Sequence, residues 1–254
     1  MTFSPAFRIA RRGLAQFSGV ALVLALWEVW VLTATPNSLV VVPPSAVFHD
    51  LFNEPWMYLQ SSLWTAGMAL AGLFTGMLAG LLLAILAWRS RLLSGLVAPV
   101  AILVSSTPVV CIIPLLSRIF GYRAPTEFAT ASIMMFFPCF VFAAAGLRSV
   151  PPLSNALADT WNTPPLRRLW LLALPAAIPS LATALRTGAA VSILVTVVAE
   201  YLMQTGGLGA LFATTMQQFD ISRALGASVM AIVLSSAFYA AAGAFEQRVR
   251  RLYE

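Results

Sequence analysis

What most constrains this chain is where its charges are missing. Its 15 basic and 9 acidic side chains are gathered into short segments, with long uncharged apolar stretches between them. About 20 consecutive apolar residues suffice for an α-helix to cross the hydrocarbon core of a bilayer. Six candidate spans follow, over residues 13–35, 61–88, 93–116, 126–147, 176–203 and 224–245. A soluble domain carries about 25% charged residues, whereas this one has 9% charged and 60% hydrophobic residues. The expected architecture is an all-α polytopic membrane protein, with residues 1–254 forming one membrane domain without internal repeats. Trp27, Trp30, Trp56, Trp64 and Trp88 fall near the proposed span ends, where amphipathic rings prefer to sit. The first span follows Arg8, Arg11 and Arg12 and contains Glu28. It lacks a small-residue cleavage site after a short core, so it reads as an anchor rather than a removed signal peptide.

Arginine placement gives an orientation. With the N-terminus inside, the inner segments hold Arg8, Arg11, Arg12, Arg89, Arg91, Arg148, Arg167, Arg168, Arg248, Arg250 and Arg251, and the outer ones only Arg118, Arg123 and Arg223. Cytoplasmic loops carry the excess of positive charge, so both termini are expected in the cytoplasm. The net charge of +6 is then explained by this bias and by anionic headgroups, and nucleic acid need not be invoked.

The chemistry available is narrow. All 15 basic residues are arginine. Without lysine the chain cannot build the P-loop of a Walker-type ATPase or a Schiff base. One histidine, His49, and two cysteines, Cys111 and Cys139, cannot make an ordinary four-ligand zinc site. Both cysteines lie in apolar runs, which argues against structural disulfides. No catalytic residue, metal or cofactor is expected in this chain.

Two connections are too long to be turns. Residues 36–60, with Pro43, Pro44, Asp50, Glu54 and Pro55, form an outer segment expected to hold a short surface helix. Residues 148–175 form the largest inner segment. Pro151-Pro152 precedes Leu153–Trp161, Asn162-Thr163-Pro164-Pro165 breaks it, and Leu166–Leu174 leads to Pro175. That pattern predicts a short helix, a break, and a second helix entering the membrane.

This inner segment resembles the coupling motif of ABC-importer permeases. The family pattern is Glu-Ala-Ala, three residues, Gly, nine residues, Ile, one residue, Leu-Pro. Here the same register reads Ala156-Leu157-Ala158, three residues, Asn162, nine residues, Leu172, Ala173, Leu174-Pro175. Val42-Pro43-Pro44-Ser45-Ala46-Val47 is similar to an extracytoplasmic segment of the nitrate, sulfonate and taurine permease group. Pro175-Ala-Ala-Ile-Pro179, Leu185-Arg186, Ala199-Glu200, Gly206-Gly207-Leu208-Gly209 and Phe219-Asp220 follow in that group's order. The ordered set, from about residue 40 to the C-terminus, carries the resemblance. The chain departs from the pattern at Ala156, where the family has glutamate, and at Asn162, where it has glycine. Asparagine tolerates the left-handed conformation that a break after the helix needs. The lost glutamate leaves two explanations open: drift with geometry kept, or pairing with a second, more typical permease.

The resemblance implies a type I importer permease fold with six spans and a cytoplasmic coupling helix between the fourth and fifth. It implies a bacterial inner-membrane protein that is not an enzyme. Its partners would be a cytoplasmic ATPase dimer that binds ATP and magnesium, an extracytoplasmic solute-binding protein, and a second permease copy in a homodimer or heterodimer. Coupling residues would be Ala156, Leu157, Ala158, Asp159, Thr160, Trp161, Asn162, Thr163, Pro164, Pro165, Arg167 and Arg168. The implied cargo is a small anion of the nitrate, sulfonate or taurine kind, with heterocyclic or aromatic nutrients (a thiamine precursor, a riboflavin-like ring) as the alternative.

Arg186, Thr196 and Glu200 are the candidate residues of the translocation path. Arg186 lies 11 residues past Pro175, roughly 15 Å along a helix. A charge at the bilayer centre costs about 3 kcal/mol on insertion scales, so Arg186 should face a cavity or a partner unless it snorkels to the surface. Glu200 returns to within about 40° of the same face but stands roughly 21 Å further on, too far for a direct pair. Its other reading is an interfacial carboxylate near the outer headgroups. Gly72, Gly76 and Gly80, spaced by four, form a small-residue stripe suited to packing within the subunit. Pro114 and Pro138 fall inside spans. Asp220 and Arg223 border the last span outside, either where a binding protein docks or as a plain surface pair, and His49 reads as a surface residue. A secondary transporter is the alternative from another class, yet no acidic residue falls clearly at a midplane, where a coupled carrier would need one.

Overall fold

The computed structural model describes residues 5–34, 41–90, 92–97, 99 and 107–253, with residues 5–17 described by backbone alone. Every regular element among them is helical. In order these are α1 (Pro5–Ala34), α2 (Pro44–Asn53), α3 (Pro55–Arg89), α4 (Val109–Phe120), α5 (Ala124–Leu147), α6 (Pro152–Thr160), α7 (Pro165–Met203), α8 (Gly207–Gln217) and α9 (Ile221–Tyr253). Residues 92–97 are also helical.

Among the described residues four helices, α3, α5, α7 and α9, are long and apolar enough to cross a membrane; Ser18–Ala34 of α1 and α4 are shorter apolar helices. The four match the second, fourth, fifth and sixth spans read from the sequence. Residue 35 of the first span, residues 36–40 of the outer segment, Arg91, and residues 98 and 100–106 of the third span lie outside the described residues. The third span was expected to end at residue 116, whereas α4 continues to Phe120 and stops at Gly121, whose φ is 77°.

The starts of the long helices also differ from the sequence reading. Prolines set both changes. α3 begins at Pro55, because a proline at the first position lacks only an N–H that a helix start leaves unpaired anyway. α7 begins at Pro165 instead of residue 176 and runs through Pro175 without a break. Pro175 cannot donate to the preceding turn and its ring crowds that carbonyl. The helix absorbs this as a π-turn over Leu169–Ala173, closed by the Leu174 N–H donating to the Leu169 carbonyl.

α5 lies between α3 and α7, and α7 packs further on α9, α8 and α3. The glycine stripe of α3 meets α5. A methyl group at Gly72 would overlap Ala131. One at Gly76 would stand 2.5 Å from the Ser132 carbonyl oxygen, and one at Gly80 would stand 2.5 Å from the Phe136 carbonyl oxygen. Thr75 and Ser132 hydroxyls meet at 2.7 Å across this seam, and the Cys139 thiol donates to the Met77 carbonyl at 3.2 Å. Toward one end, the core is built from Ala84, Phe140, Ala143, Leu147, Ala173 and Ala177.

Polar contacts sort the two ends of the bundle. Asp50, Tyr58 and Arg223 meet at one end. Arg148 donates to Ser94, and Arg250 to Thr183, at the other. That second end carries the arginines at 89, 148, 167, 168, 248, 250 and 251 that the sequence sorts to one side.

Replacing Gly76 with leucine should force α3 and α5 apart, an overpacking that costs about 1–3 kcal/mol. Gly67 has open space around it, so Gly67→Leu should leave stability unchanged. Thermal unfolding of the two variants in detergent checks this. Equal melting temperatures would show that the close approach does not matter.

Candidate functional site

The arginine-rich end carries the 148–175 segment. α6 starts after extended Pro151 and ends in a turn where Thr163 N–H donates to the Ala158 carbonyl at 2.9 Å. Asn162 has φ 49°, the left-handed conformation for which asparagine substitutes best for glycine. Leu153 and Trp161 are about three-quarters exposed and Leu157 is exposed beside them. Positions 153, 157 and 161 lie on one helical face, so α6 presents an apolar row to its surroundings. Its acid, Asp159, is held by Arg168, whose Nη1 donates to Oδ1 at 2.8 Å. Ala158 is buried; Ala156, Thr160, Pro164, Pro165 and Arg167 are exposed.

The three residues read as lining a path behave differently from one another. Arg186 is half-buried and paired with a residue that sequence reading missed as its partner. Its Nη1 donates to Glu246 Oε2 at 3.0 Å, and its guanidinium carbon lies 4.6 Å from the Tyr239 ring centre, within cation–π range. Glu246 also accepts from Thr183 at 2.8 Å and from Arg250 at 2.9 Å. One buried carboxylate therefore joins α7 to α9. Within the sequence, only the four-residue spacing of Glu246 and Arg250 hints at this network.

Thr196 and Glu200 are fully buried. Glu200 Oε2 accepts from the Gly209 N–H at 3.0 Å and from the Thr65 hydroxyl at 2.9 Å. Thr65 in turn accepts from the Leu208 N–H at 2.9 Å. Two first-turn amides of α8, those of Leu208 and Gly209, are thus satisfied, and the carboxylate sits at a helix N-terminus, where negative charge is favoured. Gly207 has φ 78°, and any side chain there would overlap the Glu200 carboxylate. Gly209 serves the same approach, a methyl group there standing 2.8 Å from Glu200 Cβ, while Gly206 lies against the Trp64 ring. α8 itself was not anticipated, although the apolar run 207–216 was visible. Glu127 of α5 is also fully buried, facing Trp64, and neither of its oxygens has a hydrogen-bond partner among the described residues.

At the opposite end, Arg223 donates to both oxygens of Asp50, at 3.1 and 3.4 Å, and Tyr58 donates to the same carboxylate. Asp220 caps α9 by accepting from the Arg223 N–H at 3.1 Å. Arg223 thus clamps α2 onto α9. α2 is fixed a second time by Glu28 of α1, which accepts from the Ser45 hydroxyl and backbone N–H at 2.7 and 3.0 Å. His49 is exposed beside Asn53. Among the described residues no group of three His, Cys, Asp or Glu side chains comes together as a metal site.

Glu246→Ala strands Arg186, Arg250 and Thr183 at once, whereas Arg250→Ala removes one half-exposed partner. Glu246→Ala should therefore lower the melting temperature in detergent clearly more than Arg250→Ala. Equal losses would mean that Glu246 does not organise the cluster.

Comparison with known proteins accords with this arrangement. The family model for the binding-protein-dependent transport system inner membrane component matches residues 72–251. A probable ABC transporter permease protein of Haemophilus influenzae is 29% identical over 220 residues, covering 87% of this chain and 90% of the relative. The taurine transport system permease protein TauC of Escherichia coli is 26% identical over 208 residues, covering 79% and 76%. Among solved structures, a chain of the MetNI methionine ABC transporter in an inward-facing conformation superimposes with a TM-score of 0.68 at 17% identity, covering 77% of this chain and 98% of that one. The chain belongs to the family of binding-protein-dependent transport inner membrane components: it is a multi-pass permease subunit of an ABC importer, and ATP hydrolysis is the work of a separate ATPase.

Proposed function

We propose that this chain spans the bacterial inner membrane six times with both termini in the cytoplasm, and that two copies enclose one translocation path. In this reading residues 156–168 are the coupling element that meets the cytoplasmic ATPase, which holds ATP and magnesium, while this chain holds no cofactor. The observation that carries the reading is the inner segment itself. It projects a short helix with an exposed apolar row from the arginine-rich end, ends it at a left-handed Asn162, and keeps the family spacing to Leu174-Pro175. Closure of the ATPase pair would carry the helix with it as a rigid-body movement.

Arg186, Thr196 and Glu200 belong to the wall of the path in this proposal, where the two charged residues keep α7, α8 and α9 in register. The cargo is a small anion of the taurine or sulfonate kind, a reading supported by the likeness to the taurine permease. An extracytoplasmic binding protein delivers it to the end where α2, Tyr58 and Arg223 meet.

Mild-detergent purification of the tagged chain from its host, with partners counted by mass spectrometry, should recover a P-loop ATPase in equal amount and no second type of permease. Reconstituted with the host's binding protein, the complex should take up taurine, stop on ATP depletion and ignore collapse of the proton gradient. Purification of the chain alone, under conditions that preserve other ABC assemblies, would sink the coupling reading and favour an autonomous carrier. Uptake of a pyrimidine or flavin instead of taurine would correct the cargo and leave the coupling reading standing.

A further inference from the structure

We propose that Arg168 is the positioning residue that makes α6 move as one body with α7, and so determines how much of an ATPase movement reaches the spans. This rests on the coupling reading above.

α6 has nine residues and is tethered by irregular chain on both sides. Extended Pro151 precedes it, and left-handed Asn162 and extended Pro164 follow it. Among the described residues α6 shares no extended packing with any other helix, and Ala158 is its one buried residue. A cavity of about 200 Å³ remains between Leu157, Ala158 and Trp161 on its side and Leu171 and Leu172 of α7. Apolar packing therefore leaves the joint incomplete, and a helix joined to the bundle by irregular chain alone would transmit a push poorly.

Arg168 bridges that joint. Besides the Asp159 pair, its Nη2 donates to the Asn155 carbonyl at 2.9 Å and to Asn155 Oδ1 at 3.2 Å. Residues 155 and 159 are one turn apart on the same face of α6. A planar guanidinium held at two points of a helix resists its rotation as well as its translation, which a point charge does not. Asn155 extends the connection by donating to the Val150 carbonyl at 3.3 Å, beside the end of α5. Arg168 itself sits in the first turn of α7, immediately before the π-turn, so its anchor is continuous with the membrane span.

The test measures the joint directly. Spin labels are placed at Leu153 of α6 and Trp170 of α7, both exposed, in full-length protein with Cys111 and Cys139 changed to serine. Pulsed electron paramagnetic resonance gives the distance distribution for the permease alone and for the ATPase complex, with and without ATP and vanadate. A control pair at Leu82 and Phe245 reports the bundle. The intact Arg168 protein should give one narrow L153C–W170C distribution that nucleotide does not change. Arg168→Ala should at least double its width and make it shift with nucleotide, while the control pair stays the same. Arg168→Lys, which keeps the charge but loses the fork, should fall between the two. An unchanged distribution in Arg168→Ala overturns the proposal, as does equal broadening of the control pair, which would signal general loosening. If the unaltered chain recovers no ATPase, the coupling reading fails, and the measurement on the permease alone still decides whether Arg168 fixes the joint.

Discussion

In a bilayer, apolar helices gain nothing from the hydrophobic effect by touching one another, because lipid tails are as apolar as leucine. Their association must come from close packing and from polar contacts. The most extensive packing here is the α3–α5 seam, where Gly72, Gly76 and Gly80 bring the two backbones together. α5 then presents its other side to α7, and α7 carries α9 and α8. α7 also packs directly on α3, so the three helices form one packed unit.

The polar contacts complete what packing begins, and they use five of the chain's nine acidic residues. Glu28 fastens α1 to α2, Asp50 fastens α2 to α9, Asp159 fastens α6 to α7, Glu200 fastens α7 to α8 and α3, and Glu246 fastens α9 to α7. In each case a carboxylate accepts from a donor on another helix, with charge assistance wherever the donor is arginine. These five carboxylates are committed to architecture. This accords with its membership of a family whose chemistry is done by a separate subunit.

How much of this was legible in the sequence depends on the range of the interaction. The positions of the second, fourth, fifth and sixth spans, the glycine stripe and the turn at Asn162 are local, set by hydrophobicity, spacing and backbone preference, and they could be read directly. The helix entering the membrane near Leu166 is legible, but its continuity with the span is not, because Pro175 looks like a boundary and nothing local says that a π-turn will carry the helix through it. The pairing of Arg186 with Glu246 joins residues sixty positions apart. It was invisible because it depends on the rotation of α7 against α9. The role of Glu200 is not legible because it depends on α8, a short helix whose fold back onto α7 no local signal specifies. The cost of a buried charge demands a partner for Arg186 without naming which residue supplies it.

The π-turn at Leu169–Ala173 has a geometric consequence of its own. It inserts one residue beyond what an α-helix would use, and each residue of an α-helix advances the azimuth by about 100°. The faces of α7 before and after the turn are therefore out of phase by roughly that angle. The azimuth at which α6 leaves the bundle is thus set separately from the azimuth at which Arg186 and Glu200 face their neighbours. Changing the chain by one residue within this turn would re-aim the projecting end around the helix axis while leaving the spans in place. Relatives sharing one membrane core could, by that route, present their projecting helix to differently oriented partners.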